Sequence, residues 1–119
     1  MAQYSHLNIY KSAYDFTLEV IQVTKNCPKE FKYSIMEKIQ NLSMDMVLDV
    51  YRANSSVDKS LHLKHLLENV EMLNVYSRVC YDLKIINLEK YTQLIERLSN
   101  ISKQTNGWLQ ACNRGAELE

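Results

Sequence analysis

Three groups of residues carry side chains able to do chemistry, and their spacing limits how far each can be taken. His62 and His65 stand three apart, which puts them on one face if the segment is helical, and His6 belongs at the same end of an antiparallel bundle. Three imidazoles make a zinc site only if they converge on one point, and solvated polar residues near a helix start are the expected reading. Cys27, Cys80 and Cys112 are an odd number of thiols with no close pairing, the pattern of reduced cysteines in a cytoplasmic protein. A catalytic thiol needs a base beside it, and no histidine is expected at the end that holds Cys27 and Cys80. Cys80 and Cys112 read as small buried hydrophobes. Cys27, placed in a loop, is expected to be the one thiol that reacts easily.

The third group is basic. Lys25, Lys29, Lys32, Lys84 and Lys90 fall near two chain reversals expected at one end, against Glu30, Asp82 and Glu89. The opposite end gathers Arg52, Lys59, Lys64, His62 and His65 against Asp49 and Asp58. Such clusters are usually solvated faces; the alternative is a surface for phosphates or an acidic partner, and the five lysines are the candidate contacts. Net charge opposes a non-specific nucleic-acid role, because fourteen basic and fourteen acidic residues cancel. Eight tyrosines offer stacking surfaces, although packing or interface duty is the commoner use.

Catalytic patterns are missing. No glutamate is followed three residues later by histidine, the ligand pair of di-metal bundles. No phosphate-binding glycine loop, nucleophile elbow or zinc-finger spacing occurs. No enzyme activity, metal or cofactor is expected.

The elements that position these residues follow from composition. With 119 residues, two glycines and one proline, the chain affords one core and about three connections, which means long helices in a single domain, 1–119. Apolar residues recur at three and four over 7–26, 28–54, 57–85 and 88–113, giving four helices. Their stripes include Phe31, Ile39 and Leu42, then Leu66 and Leu73, then Ile95, Leu98 and Trp108, all expected to be buried. Pro28 separates the first two helices, Asn54-Ser55-Ser56 the second and third, and Asn87 caps the last. Asn106-Gly107 is a turn dipeptide by type, yet the apolar spacing runs through it, so the last helix stays whole and Gly107 is read as admitting a neighbouring backbone. Short connections make neighbours antiparallel: an all-α, up-down-up-down four-helix bundle. Residues 1–6 are polar, no secretory leader is expected, and no stretch approaches the ~18 apolar residues of a membrane span.

The first helix carries two apolar stripes: Ile9, Ala13, Phe16, Val20 and Val23, then Tyr10, Tyr14, Leu18 and Ile21. The second adds Val47 and Tyr51 beside its main stripe. A bundle core uses roughly a 100° arc from each helix, so the surplus predicts burial against another copy, a homo-oligomer.

The run Lys25-Asn26-Cys27-Pro28-Lys29-Glu30-Phe31-Lys32-Tyr33-Ser34, the helix end Tyr51-Arg52-Ala53-Asn54-Ser55, and Ile101-Ser102-Lys103-Gln104 leading to Gly107-Trp108 resemble a family of bacterial four-helix bundle proteins. These are often described as like a ribosomal protein encoded in an rRNA intervening sequence. Within it the chain resembles the branch of the accessory variability determinant of diversity-generating retroelements. It departs from the intervening-sequence branch, where the second helix tends to end in Asn-x-Ala-Glu-Gly; here the stretch is Asp49-Val50-Tyr51-Arg52-Ala53. The resemblance implies a homopentamer that assists a reverse transcriptase by binding it and nucleic acid, RNA or DNA, without catalysis. A bundle that binds another protein and no nucleic acid is the second reading.

Overall fold

The computed structural model describes residues 8–118. It contains α1 (Asn8–Asn26), a one-turn α2 (Lys29–Lys32), α3 (Ile35–Ser55), α4 (Ser60–Asp82) and α5 (Leu88–Leu118). The four long helices form an all-α bundle 53 Å long and 20 Å across. Around it α1 packs on α3, α3 on α4, α4 on α5, and α5 back on α1.

The core is built from the expected stripes. Phe16, Val20, Met46, Val50, Leu63, Leu66, Leu73, Leu98 and Ile101 have essentially no exposed surface. Ile39 is also buried, while Phe31, Leu42 and Trp108 are half-buried at the core's edge; Ile95 is half-buried too, and its neighbour Leu94 takes the core position instead. Small polar residues line the interior without orphaned hydroxyls. Ser43, Ser77 and Thr105 each donate to the carbonyl four residues back at 2.7 Å. Thr17 donates to Ala13 O at 2.9 Å and also reaches Ser43 O at 3.2 Å, which fixes α1 against α3.

The helix boundaries differ from the sequence reading in four places, each with a local cause. The expected helix over 28–54 is broken at Tyr33 and Ser34. Ser34 Oγ donates to Glu30 O at 3.1 Å, offering the backbone an alternative to continuing the helix. The expected start at residue 57 moves to Ser60 because the loop's charges serve the helix ends. Lys59 Nζ donates to Ala53 O, Asn54 O and Ser56 O at 2.9, 3.2 and 2.9 Å, meeting the negative end of α3. Asp58 Oδ1 accepts from the Ser60 amide at 3.2 Å and opens α4.

At the other end, α4 stops at Asp82 instead of residue 85. Lys84 N donates to Tyr81 O at 3.0 Å and Ile85 N to Cys80 O at 2.9 Å, the paired bonds of a Schellman termination. The left-handed residue this requires is Lys84, at φ 63°, where glycine is usual. Finally, α5 runs unbroken through Gly107 and past residue 113. A Cβ on Gly107 would meet nothing within 4 Å, so this glycine admits no neighbouring backbone, contrary to expectation.

Candidate interaction surfaces

Two chain reversals meet at one end of the bundle, where Asn26 and Asn87 line a common cleft with Ile86 and Lys90. The five candidate lysines lie around this end but not as one patch. Lys25 and Lys32 share a shallow cleft of about 380 Å³ with Ile21, Thr24, Tyr33, Glu37 and Gln40. Lys84 lines another with Tyr81, Asp82, Ile85, Ile86 and Asn87. Lys29 is exposed on α2. Lys90 is already engaged: its Nζ lies 2.9 Å from Glu19 Oε1, and Arg97 holds the other oxygen of the same carboxylate. That triad ties α5 to α1, so most of Lys90's charge is spent inside the subunit.

The thiols also depart from expectation. Cys27 is buried, with its thiol 3.2 Å from Thr24 O, so the readily reactive loop cysteine is not found there. The chain folds Cys27 inward because the Pro28 turn closes over the core. Cys80 is buried 3.9 Å from Met36 Sδ, and burial, with Cys27 beside it, pushes its pKa up to about 11. Cys112 is half-buried.

Of the histidines, His6 lies outside the described residues, and His62 is in no group of three or more metal-type ligands among them. His65 instead joins a polar network across the α3–α4 seam that sequence reading passed over. Its Nδ1 lies 2.8 Å from Asp49 Oδ2, which also accepts from Asn69 Nδ2 at 3.0 Å. Arg52 Nη1 donates to Asp49 Oδ1 at 3.3 Å and to Asp45 Oδ1 at 3.2 Å, and Asn69 reaches Asp45 Oδ2 at 3.2 Å. Asp49 is almost wholly buried, and burial raises its pKa while His65 opposes the rise. The hydrogen bond to Asp49 raises the pKa of His65 in turn. Ligand atoms of Asp45, Asp49 and His65 lie within 4.8 Å of one another, a metal-like grouping. Every oxygen of the two carboxylates already has a donor, however, and the Arg52 guanidinium bridges them. The network is therefore a bolt between two helices. Its signal was present in the sequence: Asp45, Asp49 and Arg52 repeat at four and three, opposite His65 and Asn69 at four.

The largest unexplained feature is apolar. On α1, Tyr10, Tyr14, Leu18 and Ile21 follow the flank beside Thr17; on α3, Met44, Val47, Leu48 and Tyr51 follow the flank beside Ser43. Ile21 and Gln40 line one cleft, so the two flanks meet along the outer side of the α1–α3 pair. Tyr14, Leu18, Met44, Leu48 and Tyr51 are each 46–48% exposed. A second stripe, Met72, Val75 and Val79 with Leu83 just past the helix end, is exposed along α4, which packs on the other flank of α3. No described helix is long and apolar enough to cross a membrane, so these stripes do not mark a span.

Residues 7–112 match the family model described as bAvd-like. The chain belongs to that family, the accessory variability determinants of diversity-generating retroelements. No curated protein matches it.

Proposed function

We propose that this retroelement accessory protein is a non-catalytic, ring-forming scaffold, pentameric first, that binds the element's reverse transcriptase and its nucleic acid. The observation that carries the reading is the exposed apolar strip over α1 and α3. Contiguous apolar surface of this kind on a helical bundle marks an interface. A closed ring larger than a dimer joins two different patches on each subunit, and the α4 stripe supplies a second one. Repetition of the subunit supports the nucleic-acid part. Lys25, Lys29, Lys32 and Lys84, modest on one neutral chain, recur around a ring and act multivalently on phosphates.

The test is co-expression with the retroelement's reverse transcriptase and template RNA, followed by capture at about 0.15 M salt, where weak phosphate contacts are largely lost. The expected result is a complex containing all three components. Replacing Lys29 and Lys32 by glutamate should release the RNA and leave the oligomer intact. Capture of the reverse transcriptase without RNA would favour the second reading, a protein-binding bundle that does not touch nucleic acid.

A further inference from the structure

Tyr33 is the one large aromatic side chain at the basic end that the core does not use. It is 77% exposed, on the turn between α2 and α3, and it forms one wall of the cleft that Lys25 and Lys32 also line. The turn holds it there: α2 ends at Tyr33 with φ −103° and ψ 13°, and Ser34 is tied back to Glu30. Neither lysine of the cleft is held by a carboxylate among the described residues, unlike Lys90, which Glu19 neutralises. An exposed ring face with unpaired ammonium groups beside it matches the two contacts single strands offer, base faces and phosphates.

From this geometry we infer that the Lys25–Lys32–Tyr33 cleft is a single-nucleotide site for single-stranded nucleic acid, with one base stacked on Tyr33 and its flanking phosphates on the two lysines. The inference rests on the nucleic-acid part of the proposed function and adds the strand type and the contact residues. A duplex cannot use the ring, because its base faces are covered by their neighbours. An acidic peptide would use the lysines but would also meet the carboxylate of Glu37, which lines the same cleft. To a base, that same carboxylate is an acceptor for an exocyclic amino group, as carboxylates are to cytosine N4, and this favours cytosine over thymine.

The test is fluorescence anisotropy on the intact protein with a labelled oligodeoxycytidine and an abasic strand of equal length and charge. Wild type should bind the base-bearing strand roughly tenfold more tightly than the abasic one, the scale of a stacked base. Tyr33→Phe should keep that gap and Tyr33→Ala should abolish it, with binding of the abasic strand unchanged. Lys25→Glu with Lys32→Glu should weaken both strands and flatten their salt dependence. Circular dichroism and light scattering on each variant establish that fold and assembly persist. Equal wild-type affinity for the two strands, or a gap that survives Tyr33→Ala, overturns this site while leaving nucleic-acid binding elsewhere on the protein intact. Polyglutamate competing as well as the oligonucleotide also overturns it, in favour of an acidic partner. Failure of wild type to bind either strand removes both the site and the nucleic-acid part of the proposed function.

Discussion

The α3–α4 seam and the outer face of α1–α3 are opposite solutions on two flanks of one helix. At the seam, polar groups that ought to be in water are drawn inside and fully paired: Asp49 is nearly buried, and Arg52, His65 and Asn69 satisfy its oxygens. On the outer face, apolar groups that ought to be inside are left half in water: Leu18, Met44 and Leu48 lie over a core that is already complete. The first arrangement closes within the subunit and specifies which helices are neighbours. The second does not close, and a surface that does not close within the chain is where a partner belongs. Difference in satisfaction thus separates the two flanks: the seam serves the fold, and the face is the surface that the proposed assembly would cover.

The largest expected effect lies at the seam. Asp49→Ala removes the shared acceptor of Arg52, His65 and Asn69, leaving Arg52 and Asn69 only Asp45 and leaving His65 to water, and should cost about 1–3 kcal/mol of stability, read from urea unfolding. A cost below about 0.5 kcal/mol would mean the network is ornamental. The outer face should behave in reverse. Leu18→Glu combined with Leu48→Glu should dissolve the oligomer while changing the melting temperature of the monomer little, since exposed substitutions usually stay within about 0.5 kcal/mol. Loss of helical signal in that variant would show that the face belongs to the core.

A smaller effect is expected at the end of α4. Lys84→Gly removes a left-handed conformation that costs an L-residue roughly 1–2 kcal/mol, less the entropy that glycine loses on folding. The net should be a gain of about 0.5–1 kcal/mol. Destabilisation would mean that the lysine's own contacts outweigh its backbone strain.

The smallest effect is that of pH on the seam. Asp49 raises the pKa of His65, so the folded state holds the proton more tightly than the unfolded one. The stabilisation is complete below the unfolded value of about 6.5 and is lost as pH rises through the folded value. Half of His65 is in water, which keeps the contribution below ~1 kcal/mol. Melting curves at pH 6 and pH 8 should therefore differ in favour of pH 6, and His65→Asn should remove most of the difference.

Much of the fold was legible in the sequence because the signal is periodic: Leu66, Leu73 and Leu98 announce a buried face by spacing alone. What was missed depends on side chains acting outside their own element. Lys59 reads as a solvated charge until the end of α3 is seen three carbonyls deep against it. Ser34 reads as an ordinary helix residue until its hydroxyl is placed on Glu30. Cys27 reads as a loop thiol until the turn at Pro28 folds it over the core. The same holds for the interaction surfaces. The basic residues were visible as a group, but that Lys90 is spent on Glu19, and that Lys25 shares a cleft with Lys32 and Tyr33, follows only from the packing of the helices.

Coverage of the outer face of α1–α3 by another copy of the chain is what the proposed assembly requires, and mass in solution reads this directly. Light scattering on the purified protein at micromolar concentration should give a closed oligomer, five times the 14.0 kDa of the single chain, that collapses to one chain on Leu18→Glu with Leu48→Glu. A stable wild-type monomer at that concentration would contradict it.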